Sequence, residues 1–511
     1  MPPSTLPRSA EQSPRPGPVA NSLAASRLGM WSIIFFTVAA AAPETVVGGG
    51  AVSGFAVSGV NGIPVGYLAV AVVLGLFAVG YVAMSRHVEN AGAFYAYIAK
   101  GLGRVTGTAA GGVAVLAYVM VQVSLVGGCG VGAADLLHQA GGPAVPWWVF
   151  SGVGTALVAV LGVLRIDVNG RVLGVLLLAE IAMILFYDLA FVTDPAEPGV
   201  TLTTLNPLQL GTAASGVILV IAFTGFIGFE NSTVLAEEAR DPRTVGRATY
   251  LSLALIGGIY GLSTWALTVA TGPDRIVAAA EEHSTELMFV LAAERLPAAL
   301  VTLGSALYVT SLFAGMLSFH HVCARYLFAL GREGIGPRAL GVTSPRTSAP
   351  TAGSVTQSAV TALVIAVFAM TGWDPIVHLF FWGASGGALG VLCLVTATSF
   401  AVVGYFLRTP GHGCGRWRTL WAPGAAAVVL SGILVLTLRS FGTVLGLPPG
   451  SAAAWALPGA YLVVALAGLC WGVVLRLRRP DAYARIGMGA RSALIDRADP
   501  GRPSEELHDA N

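Results

Sequence analysis

Long apolar segments separated by short polar connections make up most of the chain from residue 28 to residue 477. A bilayer core is crossed by a helix of about 20 apolar residues, and twelve segments approach or exceed that length. This pattern predicts an all-α integral membrane protein with twelve transmembrane helices, here helix 1 to helix 12. Their predicted ranges are 28–59, 63–85, 105–137, 146–164, 172–193, 209–238, 248–271, 297–330, 351–371, 375–407, 419–440 and 453–477.

The basic residues of the connections predict the orientation. Of the 28 lysines and arginines, only Arg275, Arg295 and Arg439 fall on the side opposite the two termini. Basic residues concentrate in cytoplasmic loops, so we expect a multi-pass protein of the plasma membrane with both termini cytoplasmic. Residues 1–27 are predicted to be a disordered cytoplasmic tail, and 479–511 a second cytoplasmic tail.

Composition agrees with the membrane assignment and narrows the function. Hydrophobic residues make up 55% of the chain and charged residues 11%, against about 25% charged in soluble domains. The net charge of +2 provides no field for nucleic acid, and the five cysteines are scattered singly, so neither a disulfide framework nor a zinc site is indicated. No motif indicates a cofactor, a metal or an enzyme.

Two predicted helices are interrupted. Helix 1 contains Pro43 and the glycine run 48–50, with Glu44 between them, and helix 6 contains Gly225 and Gly228, followed by Glu230. Lipid cannot satisfy unwound backbone, which is tolerated only where it is buried in protein or lines a cavity. Gly- or Pro-interrupted segments at corresponding positions of two halves indicate a transporter binding site.

Three segments resemble the amino acid–polyamine–organocation (APC) superfamily of permeases. They are FIGFENSTVLAEEARDPRTVGRATYLSL (226–253), SRHVENAGAFYAYIAKGLGRVTG (85–107) and HHVCARYLFALGREGIGPRALGVTSPRTSAP (320–350). The chain is most similar to an Ala-, Gly- and Val-rich, actinobacterial-like branch whose substrates are mostly unassigned. The resemblance implies a ten-helix core over 28–408, built as a five-plus-five inverted repeat of the LeuT type, with helices 11 and 12 (409–478) added. It also implies alternating access, commonly driven by protons.

The resemblance places the substrate at mid-membrane between helices 1, 3, 6, 8 and 10. In helix 1 the backbone amides would hold a substrate carboxylate, although Pro43 has no N–H to give and Glu44 adds a negative charge. In helix 6 the carbonyls would take an ammonium group, with Phe226 and Phe229 as candidates for an aromatic gate. The implied substrate-binding residues are Pro43, Glu44, Thr45, Val46, Val47 and Gly48 in helix 1, Phe226, Ile227, Gly228, Phe229 and Glu230 in helix 6, and Tyr118 and Gln122 in helix 3.

Three acids in the predicted membrane core are candidates for proton coupling or cation binding: Glu44, Glu180 and Glu230. A charge at the centre of a membrane helix costs at least ~3 kcal/mol, so such residues are functional by default. Many members of the superfamily have a Lys at the position of Glu180, so their coupling mechanism cannot simply be transferred. Three acids and no core Lys or Arg favour neutral or cationic substrates, including polyamines.

The sequence thus predicts a secondary active transporter that imports an amino acid or related amine by proton symport. An exchanger for cationic amino acids or polyamines and a non-transporting ligand sensor are the alternatives. The acidic connection 272–296 is either a solvated cap or a gate over the pathway. The substrate, the coupling ion and its stoichiometry, and the oligomeric state need evidence beyond the sequence.

Overall fold

The computed structural model describes residues 23, 26–88, 90–212, 214–409 and 413–492. Most of the predicted N-terminal tail and residues 493–511 of the C-terminal tail lie outside these ranges. The described part is helical, with one isolated backbone bridge between Leu28 and Ala239. Eleven of its helices are long and apolar enough to cross a membrane.

The helices follow the predicted order. Helix 4, Trp147–Val163, is apolar but has only 17 residues, which is why the count of candidate spans is eleven rather than twelve. The uninterrupted helices are Ile63–Ser85 (2), Arg104–Gln139 (3), Ile166–Thr193 (5), Pro242–Thr271 (7), Ala298–Arg332 (8), Thr351–Thr371 (9) and Ala456–Arg478 (12). Helix 10 runs through Pro375–Phe381 and Trp382–Arg408, and helix 11 through Trp417–Trp421 and Ala422–Val444.

Helix 1 is broken, but not at its glycines. The first half, Met30–Ala40, ends at Ala41 and at Ala42, which has a left-handed backbone with φ 44°. The second half starts at Pro43 and continues to Ser58. A proline suits this place because the first helical N–H has no intrahelical partner.

The glycine run 48–50 does not interrupt the helix, contrary to the sequence prediction. It lies in a π-helical segment, Val46–Ala51, that is continuous with its neighbours. A Cβ on Gly48 would lie 2.9 Å from a Met288 side-chain atom, and one on Gly49 the same distance from the Tyr308 hydroxyl. The glycines therefore allow close packing rather than unwinding.

Helix 6 is broken between Phe226 and Asn231. Its first half is Ser215–Phe226, and the second is the short helix Asn231–Val234 followed by a 3-10 turn, Ala236–Glu238. Gly228 has φ 113°, which favours glycine. A Cβ there would lie 2.7 Å from the Cβ of Ala40, so the two breaks touch each other.

Both ends of the described chain lie at one end of the helical bundle, here called the basic end. The N–H of Arg240 donates to the carbonyl of Leu28 at 3.0 Å. At the other terminus, the N–H groups of Gly487 and Gly489 donate to the buried carboxylate of Glu333 at 2.5 and 2.7 Å. Termini that share one end fit an even number of crossings.

The C-terminal segment after helix 12 is packed against the protein. It contains the short helix Pro480–Arg485, and Ala482, Ile486 and Gly487 are buried. Glu333 also accepts a hydrogen bond from Asn90 at 2.6 Å and another from the Tyr95 hydroxyl. The segment is thereby tied to the connection between helices 2 and 3, which contains the short helix Ala93–Leu102.

Candidate functional site

A cavity of about 370 Å³ lies where the broken helices 1 and 6 meet. Pockets of a few hundred cubic ångströms hold small molecules. The cavity continues to the end of the bundle opposite the basic end, where Glu281, Ser284 and Leu445 line it. Its other walls come from helices 1, 2, 3, 6, 8 and 10.

The two half-helices present opposite dipole ends to this cavity. Ala42, Thr45 and Val46 bring the positive N-terminal end of the second half of helix 1. Gly225 and Ile227 bring the negative C-terminal end of the first half of helix 6. The arrangement can bind a molecule that carries both a carboxylate and an ammonium group.

Of the thirteen predicted substrate-binding residues, Thr45, Val46 and Ile227 line the cavity. The other ten are buried but do not line the cavity. Phe226 packs against Tyr67 and Tyr260, and Phe229 packs edge-on against Phe77. The residues that do not line the cavity are Pro43, Glu44, Val47, Gly48, Phe226, Gly228, Phe229, Glu230, Tyr118 and Gln122.

The two helix 3 candidates have other partners. The Tyr118 hydroxyl donates to the Oε1 atom of Glu230 at 2.8 Å. The side-chain oxygen of Gln122 accepts from Gln357 at 2.9 Å and from Thr361 at 2.8 Å, both on helix 9. Helix 3 instead lines the cavity with Val121, Ser124 and Leu125.

Glu44 and Glu180 form a buried acid pair behind the helix 1 break. The Glu44 N–H donates to the Oε1 atom of Glu180 at 2.7 Å, and the Ser311 hydroxyl donates to the same atom at 2.6 Å. Thr45, which lines the cavity, donates to Ser311 at 3.2 Å. A short chain of polar groups therefore links the acid pair to the cavity.

The acid pair has no basic partner among the described ion pairs. Both carboxyl oxygens of Glu44 and the Oε2 atom of Glu180 lack a hydrogen-bond partner in the described part of the chain. Two neighbouring carboxylates in a low-dielectric site cannot both stay charged at low cost. The pair therefore needs a proton or a bound cation.

Glu230 is held differently. Its Oε1 atom accepts from Tyr118, and its Oε2 atom accepts from the N–H of Gly228 at 3.0 Å. It lies at the start of the second half of helix 6. These bonds fix the shape of the helix 6 break.

Sequence reasoning missed Tyr67 in helix 2. Tyr67 lines the cavity, is buried, and its hydroxyl has no hydrogen-bond partner among the described residues. A Cβ on Gly225 would lie 2.9 Å from its ring, and one on Gly50 would lie 3.9 Å from its hydroxyl. A tyrosine in an apolar helix gives no local signal of function. Gly50 in helix 1 and Gly225 in helix 6 leave room for the Tyr67 ring between these two helices.

The basic end of the bundle is closed by two buried ion pairs. Arg325 contacts Glu238 through two hydrogen bonds of 2.7 and 2.9 Å, and Arg332 contacts Glu237 through two of 2.6 and 2.8 Å. The side chains of Arg325 and Glu238 are each only 2% exposed. Arg325 lies inside helix 8 and is buried, so the expectation that the core has no Lys or Arg is wrong for the described residues.

The comparison with protein families gives one match across most of the chain. A family model described as amino acid permease matches residues 28–470. The chain belongs to this family. The permease is therefore a membrane transporter by descent, and not an enzyme.

Similar curated proteins include importers and permeases. The permease is 26% identical over 328 residues to the low-affinity putrescine importer PlaP of Escherichia coli K12, covering 60% of this chain and 68% of the relative. It is 26% identical over 326 residues to the branched-chain amino acid permease BcaP of Lactococcus lactis, with the same coverage. It is 24% identical over 314 residues to the uncharacterized amino acid permease YecA of Bacillus subtilis, covering 61% and 63%.

Proposed function

We propose that this permease is a secondary active transporter that imports an amino acid or related amine across the plasma membrane by proton symport. The observation that carries the proposal is the cavity between two broken helices, which offers opposite dipole ends to a zwitterion. Putrescine and branched-chain amino acids, named for two of its relatives, fall within this substrate range.

Alternating access is supported by the difference between the two ends of the bundle. The cavity continues to the end formed by the 272–296 connection, whereas buried ion pairs close the basic end. Basic residues mark cytoplasmic loops, so the basic end is the cytoplasmic one and the cavity opens to the outside. In this proposal helix 4 is the twelfth crossing, and helices 1–5 and 6–10 are inverted repeats.

The connection 272–296 acts in this scheme as an outer gate. Its first helix, Ile276–His283, packs against the second half of helix 1, and Ala280 and Glu281 line the cavity. Movement of this helix would change access to the cavity directly. A solvated cap would not line the pathway.

Glu44 and Glu180 are the proposed proton-coupling residues, and Glu230 is the weaker third candidate. The pair is buried, lacks a basic partner and touches the helix 1 break through the Glu44 N–H. Release of a proton in one state of the transporter and uptake in the other would link protonation to the shape of that break. Glu230 already has donors for both oxygens.

The test is uptake into liposomes that contain the purified permease, with and without an inward proton gradient. Labelled neutral, cationic and acidic amino acids, putrescine and spermidine form the panel. We expect gradient-stimulated uptake of one class, and we expect Glu44→Gln and Glu180→Gln to abolish the stimulation while exchange of internal for external substrate continues.

Asp188→Asn is the matched control, because Asp188 lies about two turns after Glu180 on the same helix and its carboxylate accepts from Ser263 at 2.6 Å rather than from the helix 1 break. Uptake that requires internal substrate, without a gradient effect, would establish an exchanger instead. Binding without transport by folded protein would establish a sensor. Gradient stimulation that survives in both Gln variants would remove the acid pair from coupling.

A further inference from the structure

The cavity lacks the three buried acids that the sequence predicts as candidates for coupling or cation binding. Glu44, Glu180 and Glu230 all lie behind the breaks and do not line the cavity. Among the described lining residues, Glu281 is the only acid, and there is no lysine, arginine or histidine. Glu281 is exposed and lies in the outer connection, so the inner cavity has no charged side chain.

The cavity walls carry apolar side chains together with the uncharged hydroxyls of Ser53, Ser124, Thr224 and Ser385. Ile221 and Ile227 come from helix 6, Phe319 from helix 8, and Phe381 and Trp382 from helix 10. A substrate side chain that extended from the two breaks would meet these aliphatic and aromatic groups. An ammonium group at its far end would be buried without a carboxylate to pair with, which is costly.

The half-helix ends at the two breaks offer N–H groups to one carboxylate and carbonyl groups to one ammonium group. Glu180 already occupies the Glu44 N–H, and the Val46 N–H donates to the carbonyl of Ala42 at 3.0 Å, which leaves the Thr45 N–H to bind a carboxylate. The Tyr67 hydroxyl adds a polar group whose hydrogen-bonding capacity is unused by the described residues. Opposite helix dipole ends are thus available at the breaks, and the side chains beyond them are apolar or uncharged hydroxyls.

We infer that the substrate is a neutral amino acid with an apolar side chain, and that Tyr67 hydrogen-bonds its charged head. This inference rests on the proposed transport function and narrows it. Basic amino acids and diamines carry a second ammonium group, and acidic ones a second carboxylate, for which the inner cavity has no counter-charge. Simple amines lack the carboxylate that the helix 1 end would bind.

The experiment is exchange of labelled leucine in liposomes loaded with unlabelled leucine, which requires no proton gradient. Phenylalanine, ornithine, lysine, putrescine, glutamate, isoamylamine (leucine without its carboxylate) and 4-methylpentanoate (leucine without its ammonium group) are added as competitors. We expect phenylalanine to compete like leucine, and each of the others to need about tenfold or more higher concentration.

Two variants localise the effect. Tyr67→Phe removes one hydroxyl, and we expect it to raise the KM for leucine about three- to tenfold with kcat little changed. Loss of packing alone would instead lower the amount of folded protein. Glu281→Gln tests whether the acid at the cavity mouth sets specificity, and we expect the order of the competitors to stay the same. Glu282→Gln is the control, because Glu282 is exposed on the same helix and does not line the cavity.

The results separate the two proposals. Exchange of lysine or putrescine in preference to leucine, lost in Glu281→Gln, would overturn the apolar-substrate inference and leave the transport function intact. An unchanged KM in Tyr67→Phe would remove Tyr67 from the site. No exchange and no thermal stabilisation by any compound of the panel, with folded protein, would contradict the transport proposal itself.

Discussion

The buried pair Glu238–Arg325 allows a sharp test of which contacts keep the basic end closed. Arg325→Met retains a long side chain but leaves the Glu238 carboxylate buried and unpaired. Breaking a buried ion pair by removing one partner costs about 3–5 kcal/mol. Because each 1.4 kcal/mol is a factor of ten, the closed arrangement should become less populated by a factor of about one hundred to a few thousand.

The free-energy cost of breaking the Arg325–Glu238 pair depends on its burial, and two further variants test this dependence. The side chains of Arg325 and Glu238 are each 2% exposed, whereas those of Arg165 and Asp167 are 51% and 27% exposed. An exposed pair contributes about 0–1 kcal/mol, so Arg165→Met should change little. The double variant Glu238→Gln with Arg325→Met removes both charges together and should recover most of the loss.

The assay measures access to the cavity from outside. Ser385 lines the cavity, and Ser385→Cys in a chain without its five native cysteines gives a single site for a membrane-impermeant thiol reagent. We expect the labelling rate to fall in Arg325→Met, because the open-outside state loses population, and to recover in the double variant. Equal labelling rates and equal Tm values in the single variant, the double variant and the parent would refute the reasoning.

Two glycine substitutions test the packing of the breaks and of the basic end. Gly228→Ala forces a side chain into a backbone with φ 113° and places its Cβ within 2.7 Å of the Cβ of Ala40. We therefore expect a loss of stability of about 1–3 kcal/mol, measured as a lower Tm, together with loss of uptake. Normal uptake would contradict a fixed contact between the two breaks. Gly101→Ala would place a carbon 2.0 Å from the carbonyl oxygen of Ala401, so we expect overpacking to lower the free energy of unfolding by about 1–3 kcal/mol or more. Gly424→Ala is the control, because no atom lies within 4 Å of its new carbon, and it should leave the Tm unchanged. Equal Tm values for Gly101→Ala and Gly424→Ala would show that the short helix Ala93–Leu102 and helix 10 can move apart without loss of stability.

Hydropathy was sufficient to predict the helices in this chain. Eleven predicted segments recur as helices long enough to span a membrane, and the twelfth recurs as Trp147–Val163. Helix ends were less accurate, because helices continue beyond the apolar core into polar surroundings. Helix 7 starts at Pro242 rather than near residue 248, and helix 5 at Ile166 rather than near residue 172.

The breaks were predicted, but their geometry was not. Pro43 marks the start of a half-helix, and the three glycines that follow it stay helical because other side chains fill the space beside them. Which residues face the cavity depends on how each helix is rotated against its neighbours. Tyr118 and Gln122 do lie one turn apart, yet one meets helix 6 and the other helix 9, and no local pattern in the sequence specifies those partners.

The contact between Glu333 and the C-terminal segment has a consequence for how the protein is made. The backbone donors of Gly487 and Gly489 belong to residues synthesised after helix 12, yet they bind a buried carboxylate at the end of helix 8. An unsatisfied buried charge is expensive, so the connections at this end cannot reach their final packing until helix 12 has been inserted. Docking of this segment therefore follows insertion of helix 12 and distinguishes a chain that contains it from one truncated directly after helix 12.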